Sequence, residues 1–427
     1  MEISLPYGHS TLVTHVPNEI EVDIIDAPQI PAAPDPFEEV HMALESLLGE
    51  VTWQDYTDAK SVAIAINDKT RPVPLHHLLP PLLERLASLR IQDESITIYV
   101  AVGTHPPMMP DEFPAILPDA ILGRYRVVSH NSEDKDRLTY LGKTSRGTQI
   151  WSNRGYLQSD LKIVVGNIEP HQFAGFSGGV KSAAIGLAGL ETITSNHALM
   201  THPGSQLGVY EDNPVRQDLE EIGQKIGIQL AINAILNHNR EIVKVMAGEP
   251  IAVMQMGIPP SRKTCQVGIT SKFSVTVTSP GGHPKDINVY QAQKGLGHAA
   301  LVTKPGGSII LVAACPEGAG SPHYEEWALG KKTYSDVIES FHKGGFRIGP
   351  HKAYQIARDA SKFRFMTCTA MDHDLASALL LNPVEDLQTA IDTALAYMEP
   401  GERVGVLPYA SSTIPYIKTK TEIENNI

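Results

Sequence analysis

Residues 61–74 read SVAIAINDKTRPVP and run directly into 75–89, LHHLLPPLLERLASL. An apolar β-branched run, a polar turn closed by prolines and a leucine-rich stretch with helical spacing make a strand, a loop and a helix in that order. The same pattern repeats along the chain. Further strands are expected over 96–102, 161–165, 229–235, 273–278, 308–313, 363–369 and 403–407, and further helices over 37–48, 183–195, 215–226, 290–302, 334–343 and 384–398. Strands alternating with helices predict two α/β domains with mostly parallel, Rossmann-like sheets. The expected division is an N-terminal domain over 1–264 and a C-terminal domain over 265–403, with the tail 404–427 free to return to the first. The boundary falls in 257–264 (GIPPSRKT), and the proline-rich 28–36 connects an N-terminal hairpin to the first helix.

Composition narrows the function. With 35 Lys+Arg against 48 Asp+Glu the net charge is −13, which gives no electrostatic footprint for nucleic acid or an acidic membrane. Cys265, Cys315 and Cys368 fit neither a disulfide framework nor a zinc pattern, and no stretch reads as a leader or a membrane span. These features point to a cytoplasmic protein. The 17 histidines gather at turn-like positions.

In open α/β sheets ligands bind beyond the carboxyl ends of the strands. Three such ends carry ionisable groups beside Gly or Pro: NDKTRPVP (67–74), GTHPP (103–107) and GNIEPH (166–171). A capping Asp or a surface His explains any one of them, but not three loops on one sheet edge. The third continues as QFAGFSGGVKS (172–182), close to G-x-x-x-x-G-K-[ST], except that Val180 stands where a Gly is required. What remains is a glycine turn whose backbone N–H groups at Ser177, Gly178 and Gly179 could take an anion, with Lys181 opening a helix. Ser195-Asn196-His197 closes that helix. Farther on, Gln291 and Lys294 are three apart in VYQAQKG (289–295) and share a helix face suited to a carboxylate.

Taken together, DKTRPVP (68–74), GTHPP (103–107), EPHQFAGFSGGVKS (169–182), SNH (195–197) and VYQAQKG (289–295) resemble the nickel-dependent lactate racemase family in order and spacing. The resemblance implies an isomerase with its active site in the interdomain cleft. It implies a nickel pincer nucleotide, a pyridinium-3,5-bisthiocarboxylic acid mononucleotide holding nickel, made by separate maturation enzymes and joined to Lys181 through a thioamide. His197 would complete the metal site, since sulfur donors with one imidazole suit square-planar Ni(II). The reaction implied is racemisation or epimerisation of a 2-hydroxy acid by hydride transfer through a planar 2-keto acid. His105 and His171 would be the two proton-transfer bases, one for each mirror-related hydroxyl. Arg71, Tyr290, Gln291 and Lys294 match substrate-binding positions, and Asp68 matches an acidic residue that orients Arg71 or a base.

Two positions depart from the lactate-specific pattern. Val180 replaces an Arg before the anchoring Lys, and the region of an aromatic wall aligns with Gly349-Pro350-His351-Lys352, which makes His351 a substrate-binding candidate in a more polar pocket. Lactate, malate, 2-hydroxyglutarate and sugar acids are all candidate substrates. Two other readings stay open: a zinc hydrolase using His105, His171 and His197, and a non-catalytic protein that binds a nucleotide or a hydroxy acid.

Overall fold

A computed structural model describes residues 1–71 and 73–419; Pro72 of the DKTRPVP loop and the 420–427 end of the tail lie outside the described residues. The chain divides into two compact units, one of Gln29–Thr264 and one of Met1–Pro28 with Cys265 onward.

In the first unit six strands lie in the order Ile242–Gly248, Leu230–Leu236, Leu161–Asn167, Val62–Asn67, Ile96–Ala101 and Arg126–Ser129. Only the first pair is antiparallel. Val62 to Ile66 are all buried, as a parallel strand covered on both faces requires. Helix Leu75–Ser88 lays Leu75, Leu78, Leu79, Leu82 and Leu86 on the core formed with Ile64, Ile98 and Ile163. Each buried leucine contributes about 1.5–3 kcal/mol, which together outweigh the roughly 3 kcal/mol that a mid-helix proline costs, so the helix continues through Pro80 and Pro81. Helices Lys181–Ala184 and Pro214–Ile226 pack together, and the former also touches strands Val62–Asn67 and Leu161–Asn167.

The second unit has its own six-stranded sheet, ordered Pro383–Val384, Arg364–Cys368, Thr303–Val312, Phe273–Thr278, Val404–Leu407 and Val22–Ile24, with every neighbouring pair parallel. Helices Val289–Val302 and Pro350–Ala360 pack on one another within it. All three cysteines are buried and free, and burial pushes the Cys315 thiol up to about 12.

Three expectations are corrected. Residues 1–28 do not belong with 29–264, because Val22–Ile24 is the edge strand of the second sheet, paired to Val404–Leu407. For the same reason the described part of the tail does not return to the first domain: Val404–Leu407 lies between Phe273–Thr278 and Val22–Ile24. The two units part between Thr264 and Cys265, at the end of the 257–264 stretch, where helix Pro250–Cys265 runs into strand Gln266–Ile269. The helix expected over 183–195 is also broken, into Lys181–Ala184 and Leu190–Ala198. The break lies where the chain presses onto the sheet edge: a Cβ on Gly186 would stand 2.5 Å from Ala101 Cβ, and Gly103 N–H donates to the Gly186 carbonyl at 3.0 Å.

Candidate active site

Because Leu161–Asn167, Val62–Asn67 and Ile96–Ala101 are parallel neighbours, the loops that follow them emerge along one edge. That edge forms one wall of a cavity lined by Asp68, Arg71, His105, Glu169, Lys181 and His197, with Ser177 and Gly178 also in its lining. Every one of these residues belongs to the 29–264 unit.

Asp68 is buried and holds His105: its Oδ2 lies 2.7 Å from His105 Nδ1. Thr70 fixes the other carboxylate oxygen, donating to Oδ1 from its hydroxyl at 2.7 Å and its backbone N–H at 3.2 Å. Burial pushes the Asp68 carboxyl up, but the hydrogen bonds from His105 and Thr70 and the charges of His105 and Arg71 prevail, so it sits below its ordinary value. An ionised carboxylate only accepts, so His105 carries its proton on Nδ1 and presents Nε2 as a lone pair.

Lys181 is buried at the start of its short helix. Burial drives its ammonium well below its ordinary value, the charges of Arg71 and Arg216 add to this, and Glu169 and Asp68 oppose it. The side chain is therefore biased towards the neutral, nucleophilic amine. His197 is set by a relay. Asn196 donates from Nδ2 to Asp218 Oδ2 at 2.9 Å and to the Val215 carbonyl at 3.2 Å, which leaves its Oδ1, 3.1 Å from His197 Nδ1, as the acceptor. The His197 proton then sits on Nδ1 and Nε2 is the unprotonated nitrogen, an arrangement also found in imidazoles that bind metals.

Of the three amides expected to cradle an anion, those of Ser177 and Gly179 are turned to partners inside the fold. Ser177 N–H donates to the Glu169 carbonyl at 2.7 Å, Gly179 N–H to Asn233 Oδ1 at 2.7 Å and Lys181 N–H to the Gly178 carbonyl at 3.3 Å, so these amides are engaged inside the fold. The glycines serve close packing instead. Gly178 has φ +85, and a Cβ there would lie 2.7 Å from Ile168 Cγ1. Arg216, 1% exposed, braces the turn by donating to the Gly178 carbonyl at 3.1 and 3.2 Å and to Phe176 at 3.3 Å, and it pairs with Glu220 at 2.6 Å.

His171 is not among the lining residues; it stands one aromatic ring away, with Phe173 edge-on to both His171 at 4.7 Å and His197 at 5.0 Å. Its Nδ1 accepts the Ala174 N–H at 3.3 Å, so its own proton sits on Nε2. Among the described residues no three His, Cys, Asp or Glu side chains are grouped to hold a metal by themselves. The zinc cluster of His105, His171 and His197 is thus not formed among the described residues, and His171 does not line the cavity that holds the other two. The sequence reading also missed Glu169, Asn196, Asp218, Arg216 and Asn233. Glu169 and Asn196 lay inside the quoted motifs, whereas Asp218, Arg216 and Asn233 act through contacts 22 to 54 residues apart.

The remaining candidates form a cluster in the second unit. Lys294 Nζ donates to Gln291 Oε1 at 2.9 Å, and the His351 ring meets the Tyr290 ring edge-on at 5.8 Å.

Comparison with known proteins agrees along nearly the whole chain. Residues 7–208 match the model of the lactate racemase N-terminal domain, and residues 269–414 that of the lactate racemase C-terminal domain. Lactate racemase of Thermoanaerobacterium thermosaccharolyticum is 28% identical over 421 residues, covering 96% of this chain and 98% of that protein. The lactate racemase of Lactiplantibacillus plantarum is 30% identical over 323 residues, 74% of this chain and 76% of that protein. In structure, the lactate racemase apoprotein of T. thermosaccharolyticum superposes with a TM-score of 0.90 at 27% identity, covering 97% of this chain and all (100%) of that one. A Thermotoga maritima protein superposes at 0.65 with 19% identity over 90% of this chain and 97% of its own, a likeness of fold alone. With two domain models matched in order and relatives covered over most of their length, the chain belongs to the lactate racemase family and is an isomerase.

Proposed function

We propose that this protein racemises or epimerises a 2-hydroxy acid, lactate or a more polar relative, using a nickel pincer nucleotide carried on Lys181. The observation that carries the reading is one cavity holding a buried amine biased to neutrality, an imidazole oriented through Nδ1 and a carboxylate–histidine pair. Residues and group fit: Lys181 offers the amine for covalent attachment and His197 Nε2 the ligand for nickel. When bound, the group supplies an acceptor and donor of hydride, which the protein side chains lack.

The α C–H of a 2-hydroxy carboxylate is hardly acidic, so the protein's work is to move the hydroxyl proton and hold the acid in place. His105 takes that proton at Nε2, and Asp68 stabilises the imidazolium that results. His171 is assigned the same task for the mirror-related hydroxyl. Arg71, Tyr290, Gln291, Lys294 and His351 are assigned to substrate binding, the cations among them to the carboxylate.

The test is to express the chain with and without a pincer-nucleotide maturation system and compare intact mass and absorption for wild type and Lys181→Ala. A mass gain that needs maturation and vanishes in the variant is expected, followed by racemisation in a chiral screen of 2-hydroxy acids. An unmodified mass despite active maturation enzymes refutes the cofactor assignment.

A further inference from the structure

The loop that carries Lys181 also brings a carboxylate back to it. Pro170 pairs with Phe176 and His171 with Gly175 in a short antiparallel ladder, which returns residue 169 to the side of 177, one turn before the lysine. Ser177 then clamps the Glu169 backbone. The Ser177 N–H donates to the Glu169 carbonyl at 2.7 Å, the Glu169 N–H donates to Ser177 Oγ at 3.2 Å, and the Ser177 hydroxyl is shared between the Asn167 and Glu169 carbonyls at 3.1 and 3.2 Å. Arg216 braces the same loop at the Gly178 carbonyl, so Glu169 and Lys181 are held in one piece of fixed backbone.

Asp68 and Glu169 are the carboxylates in the lining of the cavity. Asp68 is committed to His105 and Thr70. Glu169 is exposed, and among the described residues its carboxylate takes part in no hydrogen bond or ion pair, though its charge acts on the buried Lys181 ammonium. Attachment at Lys181 needs such a group. Lys181 Nζ forms one C–N bond to the carbon of a pyridinium thiocarboxylate and one C–O bond breaks; the sulfur is retained, the oxygen departs, and no oxidation state changes. The ammonium sheds two protons on becoming a thioamide nitrogen, and these are the two that turn the departing oxygen into water. Without a carrier the oxygen would leave as hydroxide beside a buried side chain, where a bare charge is costly.

We infer that Glu169 is the acid–base residue for attachment of the cofactor to Lys181, taking each proton as the nitrogen releases it and passing it to the departing oxygen. The inference rests on the pincer-nucleotide reading of Lys181 above and adds the group that lets this lysine be acylated.

The experiment mixes the unloaded protein with the nickel pincer nucleotide supplied by its maturation enzymes and follows intact mass with time for wild type, Glu169→Gln and Glu169→Asp. A second probe, p-nitrophenyl acetate, acetylates Lys181 of the unloaded protein with a leaving group that departs without a proton, read by peptide mapping. Glu169 supports the loop through its backbone alone, so both variants keep the fold. Glu169→Gln should load about a hundredfold more slowly, the low end of what a positioned acid–base group contributes, and Glu169→Asp should recover part of the rate. Acetylation of Lys181 should not slow in Glu169→Gln, because losing that charge leaves the amine still more neutral. Loading of Glu169→Gln within about threefold of wild type overturns the inference alone. Equal slowing of loading and acetylation also overturns it, since the carboxylate then only shapes the cavity. A wild-type protein that gains no mass overturns the attachment reading and the role of Glu169 with it.

Discussion

Replacing Asp68 with Asn tests the carboxylate–histidine pair with almost no change of shape. The side chain is buried, 2.7 Å from His105 Nδ1, and also takes the Thr70 hydroxyl. Two effects follow. The bond loses its charge, which for a charged partner is worth about 1.5–3 kcal/mol; the His105 side chain is 46% exposed, so screening brings the loss of folding stability to about 1 kcal/mol. The larger effect falls on catalysis. An amide can donate to Nδ1, which moves the imidazole proton to Nε2 and removes the lone pair that accepts the hydroxyl proton. Positioned general bases contribute about 10²–10⁴ in rate, and kcat of Asp68→Asn should fall by that factor in both directions. The assay is chiral chromatography at saturating substrate, with intact mass reporting cofactor loading and circular dichroism reporting the fold. A loaded, folded Asp68→Asn enzyme within about threefold of wild-type kcat would refute the argument. The sign with pH is fixed as well. The Asp68 carboxyl is lowered on folding, so its stabilisation is present above the unfolded value, about 3.9, and is lost as pH falls through the lower folded one. The stability gap between wild type and Asp68→Asn should therefore close in acid.

Asn196→Ala removes the acceptor for His197 Nδ1 and should lower nickel affinity about 10–100-fold at unchanged covalent loading, read by competition with a chelator. Lys181→Met should raise the melting temperature of the unloaded chain at pH 7, by roughly 2–4 °C per kcal/mol relieved, because folding depresses this lysine; the gain should shrink as pH rises towards 10. Arg216→Met strips three carbonyl contacts from the glycine turn and leaves Glu220 with the Tyr210 hydroxyl but no cation, a loss of about 3 kcal/mol measurable by urea unfolding. Gly178→Ala places a Cβ against Ile168 at positive φ and should cost about 1–2 kcal/mol from the backbone alone, with reduced loading at Lys181 by mass.

Strand positions in the sheets were legible because β-branched runs such as 62–66 are continuous in sequence, and the cavity was legible because parallel strands send their loops to one edge. Helix breaks were not. Gly186 and Gly189 carry no period of their own, and only the approach of the chain to Ala101 and Trp151 shows why the helix stops between them. The supporting groups were hidden for a related reason: Asn233 and Arg216 meet the glycine turn from 54 and 38 residues away, where no local pattern marks them. The glycines themselves misled, since Gly-Gly before Lys signals an anion cradle in one context and a tight approach of backbone to core in another.

The strand Val22–Ile24 completes a sheet whose other members begin at Phe273, which sets an order on synthesis. Residues 29–264 form a continuous stretch that can condense while the ribosome is still translating the rest. The opening 28 residues must wait, with Ile3 and Leu5 lacking the core they finally enter beside Val277 and Val404, until that last partner strand has emerged. The unit carrying Lys181 is thus the first to take shape, and the start of the chain is among the last parts to find its place.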